Sequence, residues 1–343
     1  MSKLPTSQLG KNGPLIPKMG LGCMGLSIWY GAGAIPDEER LQFLDGAFEL
    51  GETFWVTSDR YGDNEALLAK WFKRTGQRSS IFLCDKFGLV PSDDILKSEI
   101  LRTDPEWTKQ ACANSLKTLG VDKIDLYMAH RVDDVTPIEK TVEAMIELKN
   151  EGKIDYIGFS EISAASLRRA CAVHQISAVE VEFSPFSLEI ESEQINLLKT
   201  CRELGVAVVA YSPLGRGLMA GQIKSLDDLG EKDARRIMPR FSAENFPKNL
   251  KLVEDLEKIA EKKGCTPGQL TLAWLMAEGD DIFPIPGTTK VSRLEENLGA
   301  LKVVLTQEEI KEIRTVVDAA EVYGARYPEA FASMVFRDTP PLV

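Results

Sequence analysis

Tyr61, Lys86 and His130 are the residues of this chain best equipped to move a proton, and each closes a run that reads as a β-strand. Tyr61 follows Phe54-Trp55-Val56-Thr57-Ser58, Lys86 ends Ile81-Phe82-Leu83-Cys84-Asp85-Lys86, and His130 ends Ile124-Asp125-Leu126-Tyr127-Met128-Ala129-His130. In a parallel α/β architecture the C-terminal ends of the strands gather around one site. A phenol with an ordinary pKa of about 10 is too weak an acid to give up its proton readily near neutrality. A neighbouring ammonium favours the phenolate and lowers that pKa. Taken singly, Tyr61 would be a turn tyrosine packing its ring and His130 a structural histidine. A charge inside the apolar run that ends at Lys86 needs a reason. Taken together, the three define a candidate acid with a tuned pKa.

The elements that must position them alternate from end to end. Strand candidates are Met19–Met24, Thr53–Ser58, Ile81–Phe87, Ile124–His130, Tyr156–Ser160, Ala178–Ser184, Ala207–Ser212 and Ile282–Pro286. Between them, apolar residues at three- and four-residue spacing predict helices such as Asp37–Leu50, Glu65–Thr75, Glu106–Leu119, Pro137–Asn150, Ser163–Val173, Glu191–Leu204 and Asn249–Lys263. Several of these end at a glycine (Gly51, Gly76, Gly120, Gly205, Gly264) suited to a left-handed C-cap. Eight βα units without a linker or a break in composition predict one α/β domain over residues 1–343, a (β/α)₈ TIM barrel. An open doubly wound sheet would want a G-x-G-x-x-G turn leading into a helix, which the run from Gly20 to Gly25 does not supply. An N-terminal hairpin is expected to plug the far end of the barrel. The long connections Gly88–Pro105 and Leu214–Pro247 and the tail from Val322 to Val343 are expected to shape the mouth.

Composition narrows the classes further. The 343 residues are 44% hydrophobic and 27% charged, ordinary for a globular protein, and the net charge of −11 argues against nucleic acid or an anionic membrane as partner. Apolar stretches are only strand-length, and Met1 to Gly10 is polar, so no membrane span or signal peptide is expected and a cytoplasmic location is. The six cysteines form no C-x-x-C pair and only His130 and His174 are available, so no metal centre is expected and the thiols are expected to be reduced.

Six runs carry a resemblance along nearly the whole chain. They are Gly20-Leu21-Gly22-Cys23-Met24-Gly25, Asp59-Arg60-Tyr61-Gly62, Asp85-Lys86-Phe87-Gly88, His130-Arg131-Val132-Asp133, Tyr211-Ser212-Pro213-Leu214-Gly215-Arg216-Gly217 and Ile285-Pro286-Gly287-Thr288-Thr289-Lys290. In order and spacing the sequence resembles the aldo-keto reductases, nearest their microbial and fungal branch related to pyridoxal reductases. The resemblance implies a TIM barrel, NADPH as cofactor, a small-molecule aldehyde or ketone as substrate, and a monomer or homo-oligomer. It implies Tyr61 as the acid that protonates the carbonyl oxygen, Lys86 as its activator and His130 as the group orienting the carbonyl. For the cofactor it implies Gly22 and Met24, Ser160, Glu161 and Glu180 at the carboxamide, and Tyr211 stacked on the nicotinamide. Ser212, Leu214, Gly215 and Arg216 would hold the pyrophosphate, where glycines permit close backbone approach. Gly287, Thr288, Thr289, Lys290 and Arg293 would meet the 2′-phosphate at a helix N-terminus, and Glu296 and Asn297 the adenine side.

Two positions depart from that pattern. The aspartate that pairs with the lysine in the family maps onto Val56, which can neither accept a hydrogen bond nor carry charge. Lys86 then either stays charged and acts fully on Tyr61, or neutralises and ceases to activate it. Asp85 points to the opposite face of its strand, so Asp59 is the candidate substitute. Glu180 stands where relatives carry a glutamine; ionised, it accepts but cannot donate. The paired change leaves two alternatives to a reductase. One is a non-redox isomerase, dehydratase or cyclase using Tyr61, Lys86 or Glu180, and the other is a cofactor-binding protein with little catalysis.

Overall fold

Strands that will be covered on both faces must be apolar almost throughout, and the runs around Lys86 and Glu180 are buried along nearly their whole length. In the computed structural model, which describes residues 3–30, 35–91, 99–231 and 233–342, such strands alternate with helices. A hairpin of β1 (Thr6–Gln8) and β2 (Leu15–Pro17) comes first, followed by β3 (Leu21–Gly22), α1 (Asp37–Glu49), β4 (Phe54–Val56), α2 (Asn64–Thr75) and β5 (Phe82–Phe87). A second hairpin, β6 (Leu89–Pro91) with β7 (Glu99–Leu101), precedes α3 (Pro105–Leu119). Next come β8 (Ile124–Ala129), α4 (Ile138–Asn150), β9 (Ile154–Ser160), α5 (Ala164–Val173), β10 (Ala178–Glu182), α6 (Leu197–Leu204) and β11 (Ala207–Tyr211). The chain continues through α7 (Phe246–Lys263), α8 (Pro267–Ala277), β12 (Ile282–Pro284), α9 (Val291–Gly299), α10 (Gln307–Ala319) and the short α11 (Glu329–Ala332).

The eight longer-range strands pair in parallel in the order β3-β4-β5-β8-β9-β10-β11-β12. Backbone hydrogen bonds from Gly20 N to Pro284 O (3.0 Å) and from Gly22 N to Pro286 O (3.3 Å) join the first strand to the last, so the sheet closes into a (β/α)₈ barrel. Each of the eight strand candidates corresponds to one barrel strand.

Strand alternation sorts side chains into two cores. Trp55, Leu83, Tyr127, Val179 and Val208 face outward, where they pack against the helices in the larger cluster. Phe54, Val56, Cys84, Met128, Ala178, Val209 and Phe283 face the barrel interior. Leu9 and Ile16 of the N-terminal hairpin join that interior cluster, and Lys11 N bonds Gly205 O at 2.6 Å, so the hairpin stoppers the end opposite the strand C-termini. Val56 lies in register with Cys84, two residues before Lys86 on the same inward face.

Several local features follow the expected chemistry. Gly76, Gly120, Gly205 and Gly264 cap their helices at φ of 65–73°. Helix α6 begins six residues later than the periodicity predicts, because Asn196 turns left-handed (φ 51°) and Glu189–Glu191 form a 3₁₀ turn instead. Helices α8 and α10 begin at capping boxes, Thr266 with Gln269 and Thr306 with Glu309. Of the long connections, the one after β11 is a string of 3₁₀ turns (Gly215–Ala220, Leu226–Asp228, Ala234–Ile237, Pro239–Phe241). Residues 92–98 of the connection after β5 lie outside the described residues.

A methyl group on Gly22 would sit 2.9 Å from the carbonyl oxygen of Ile285, a backbone atom that cannot turn aside. Gly22→Ala is therefore expected to force β3 and β12 apart and to lower unfolding stability by about 1–3 kcal/mol, read as a lower urea midpoint with unchanged slope.

Candidate active site

At the C-terminal end of the barrel, strands β4, β5 and β8 deliver Tyr61, Lys86 and His130 to one place. The Lys86 ammonium lies over the Tyr61 ring, 5.1 Å from its centroid, close enough to act on the phenol's charge. The Tyr61 and His130 rings meet edge to face with centroids 5.7 Å apart. His130 Nδ1 shares a 3.1 Å hydrogen bond with Ser58 Oγ, and His130 N donates to Phe87 O at 2.7 Å, fixing the ring across two neighbouring strand ends.

Lys86 is wholly buried, and its Nζ donates to Glu180 Oε2 at 3.0 Å. That carboxylate arrives from β10, across the barrel, rather than from Asp59, the nearer candidate in sequence. Asp59 instead accepts a hydrogen bond from Ser58 Oγ at 3.3 Å. Asp85, as strand alternation requires, does not face Lys86 Nζ: its Oδ1 accepts its neighbour's backbone N–H, and burial pushes its carboxyl well up. Val56 stays in the apolar interior cluster.

The charges follow from these contacts. Burial alone would lower the Lys86 pKa, but Glu180, with smaller contributions from Tyr61 and Cys84, carries it above its ordinary value. Lys86 therefore remains an ammonium. Burial pushes the Tyr61 phenol up to about 12; Lys86 pulls against that shift and Glu180 adds to it. Burial and the cations Lys86, Arg131 and Arg60 hold His130 well below the usual histidine value, so its imidazole is neutral at neutral pH.

Around this cluster the residues expected at a cofactor take up a second charged network. Ser160 Oγ accepts from Arg131 Nη1 at 3.0 Å. Glu161 follows β9 with a left-handed φ of 52°, and its Oε1 accepts from the Tyr211 hydroxyl at 2.7 Å. Arg326, from the C-terminal tail, bonds Glu161, Tyr211 OH (2.9 Å) and Glu182 Oε2 (3.2 Å), while the Tyr327 hydroxyl lies 3.0 Å from that of Tyr211. Burial would raise the Glu182 carboxyl, yet Arg216, Arg326 and Arg240 hold it below its ordinary value. Sequence reasoning missed Arg326, Arg131 and Glu182. The signal was the inward register of Glu182, two residues after Glu180, because a buried carboxylate must find a cation.

The loop after β11 carries Ser212, Gly215 and Arg216 in left-handed conformations (φ 48°, 55° and 58°), and Arg216 lies 4.8 Å over the Tyr327 ring. Gly22 and Gly287 approach so closely that neither has room for a side chain; Met24 is half-buried and opens the following 3₁₀ turn. The predicted phosphate group is not drawn into the Tyr61 cluster but gathers at α9. Lys290 is exposed at its N-terminus with its N–H on Thr288 Oγ1 (3.2 Å), and Thr289 is half-buried. Arg293 bonds Gln222 of the loop after β11 (2.6 Å), the Glu296 carbonyl accepts from Gln269, and Asn297 is buried. Among the described residues no group of His, Cys, Asp or Glu could hold a metal ion, and no helix is long and apolar enough to cross a membrane. The six cysteines are unpaired thiols.

A parallel barrel with a phenol, an ammonium and a neutral imidazole clustered at its strand ends carries the side chains that proton transfer needs, at the end where barrel enzymes keep their active sites. The family model described as the aldo/keto reductase family matches residues 18–318, and the chain belongs to that family of oxidoreductases. It is 50% identical to the aldo-keto reductase str7 of Strobilurus tenacellus over 344 residues, covering 99% of each chain. It is also 50% identical, with the same coverage, to the aldo-keto reductase yakc [NADP(+)] of Schizosaccharomyces pombe. Among solved structures it superposes on the holo form of an aldo-keto reductase from Bacillus halodurans with a TM-score of 0.74 at 25% identity, over 95% of this chain and 99% of that one. The glycerol dehydrogenase of Gluconobacter oxydans shares the fold (TM-score 0.81, 23% identity, 93% and 97% covered).

Because His130 is held neutral when folded and protonates near 6.5 when unfolded, the folded state binds fewer protons below that pH. Its contribution to stability is present above about pH 6.5 and is lost as pH falls, by at most about 1.4 kcal/mol per pH unit. Urea unfolding from pH 7.5 to 5 is expected to show a shallower acid loss for His130→Gln than for the parent.

Proposed function

We propose that this protein reduces a small aldehyde or ketone to the alcohol with NADPH, Tyr61 acting as the acid. The observation that carries this is the placement of the Tyr61 phenol against a Lys86 held charged by Glu180 and a neutral His130. A proton donor must hold its proton before the reaction and tolerate the anion after it. Burial raises the phenol and keeps it protonated, while the Lys86 ammonium stands ready for the phenolate that forms. The neutral imidazole of His130, anchored by Ser58, has the charge state needed to donate a hydrogen bond to a carbonyl oxygen without competing for the proton.

The residues present fit a nicotinamide dinucleotide. Glu161 Oε2 and Arg326 Nη1 are buried without hydrogen-bond partners beside Tyr211, the facing glycines Gly22 and Gly287 leave the backbone bare, and α9 presents its N-terminus with Lys290 and Arg293 exposed. When bound, the reduced cofactor supplies the hydride. Ser160 and Glu161 would meet its carboxamide, Tyr211 its ring, Ser212, Leu214, Gly215 and Arg216 its pyrophosphate, and the α9 terminus its 2′-phosphate. Hydride on the carbonyl carbon and the Tyr61 proton on its oxygen complete the alcohol. The curated relative named for NADP(+) supports the choice of cofactor. The motive for a non-redox alternative was the paired change at Val56 and Glu180, and it weakens once Lys86 has a carboxylate beside it.

Across a panel of aldehydes and ketones, the parent is expected to consume NADPH in proportion to alcohol formed. Tyr61→Phe is expected to lose about a hundredfold or more in kcat while binding NADPH normally by fluorescence titration. Equal rates in parent and variant would refute the role of Tyr61.

A further inference from the structure

We infer that Glu180 is the positioning residue that keeps Lys86 charged and aimed at Tyr61, the lysine's carboxylate standing on β10 and leaving β4 with the apolar Val56. The inference deepens the reductase proposal above and rests on it. Lys86 is fully buried, and the inward-facing neighbours it meets along β4, β5 and β8 (Val56, Cys84, Met128) carry no fixed charge. Among the described residues the ion pair recorded for Lys86 is with Glu180, itself 3% exposed, at 3.0 Å from Nζ. An ammonium so placed would shed its proton without that anion, and a neutral Lys86 could not stabilise a Tyr61 phenolate. Glu180 also opposes Lys86 at Tyr61 directly, as an anion that disfavours the phenolate. Its useful action therefore passes through the lysine: it fixes Nζ in place and protonated, and does not itself touch the reacting atoms.

The same geometry makes the arrangement transferable. Val56 faces the interior in register with Cys84, two positions before Lys86 on the adjacent strand. Diagonal neighbours of that kind lie about 7–8 Å apart at their backbones, within reach of a lysine side chain. A carboxylate at position 56 should thus replace the one at 180.

The test measures kcat, KM for the carbonyl, NADPH affinity and the pH profile of kcat in the parent, Glu180→Gln and Val56→Asp/Glu180→Gln, with circular dichroism as a control for folding. Glu180→Gln is expected to lose tenfold or more in kcat with NADPH affinity within threefold of the parent. The alkaline limit of its pH profile is expected to move to lower pH, since Lys86 then deprotonates more easily. The double variant is expected to recover most of the kcat and the alkaline limit. A Glu180→Gln variant within twofold of the parent in kcat and unmoved in pH profile would overturn the inference. So would a folded, NADPH-binding double variant no faster than Glu180→Gln. If the parent itself reduces no carbonyl, the reductase proposal fails, and the pairing is decided by unfolding free energies of Lys86→Met, Glu180→Gln and their combination. Non-additive losses keep the pair, whereas additive ones remove it.

Discussion

An ammonium group enclosed by protein persists only beside an anion, and the centre of this barrel is organised around meeting that condition for Lys86. Its side chain has no exposed surface, and Glu180 reaches it from a strand on the other side of the barrel. Removing one member of such a pair typically costs about 3–5 kcal/mol, because the other is left charged and dry. The stopper hairpin and the apolar interior below the pair keep water from that end. Closure of the sheet through Gly20 and Gly22 holds β4, β5 and β10 in one ring. Every property proposed for Tyr61 depends on this arrangement, since its phenol sits in surroundings that raise its pKa and Lys86, ahead of Arg131, is the charge that makes a phenolate tolerable there.

The mouth of the barrel repeats the constraint with the signs exchanged. Glu161 and Glu182 are buried carboxylates, and their compensation comes from Arg326, Arg216 and Arg240, side chains on the tail and on the long connection after β11. Tyr211 joins the two layers, its ring at the end of a barrel strand and its hydroxyl bonded to Glu161 and adjoining Tyr327. The surfaces that would meet cofactor and substrate are thus held by ion pairs between a rigid barrel and irregular segments. Such segments tolerate change in sequence better than strands do.

Much of the fold was legible because parallel strands covered on both sides leave an unmistakable apolar run, and because Gly76, Gly120, Gly205 and Gly264 sit where left-handed caps require them. Helix α8 escaped notice for the opposite reason: it is buried over most of its surface and has no polar face to mark a period. Tyr61, Lys86 and His130 were legible from their positions at strand ends, and Val56 as an apolar residue where a carboxylate was expected. The ion pair was not, because strand order brings together residues 94 positions apart and nothing local to Lys86 points to β10. Alternation along Ala178–Glu182 points Glu180 and Glu182 to the same inward face as Ala178, a signal present in the sequence that supplies half of the answer.

The distances along the chain between these charges set an order in time. Glu161 and Glu182 share the guanidinium of Arg326, 165 and 144 positions later, and a chain is synthesised at about 5–20 residues per second. For roughly seven to thirty-three seconds at that rate, the growing chain carries two carboxylates that Arg326 is not yet there to match. Completion of the mouth is therefore a late event in the life of each molecule, separable from the assembly of the strands that frame it.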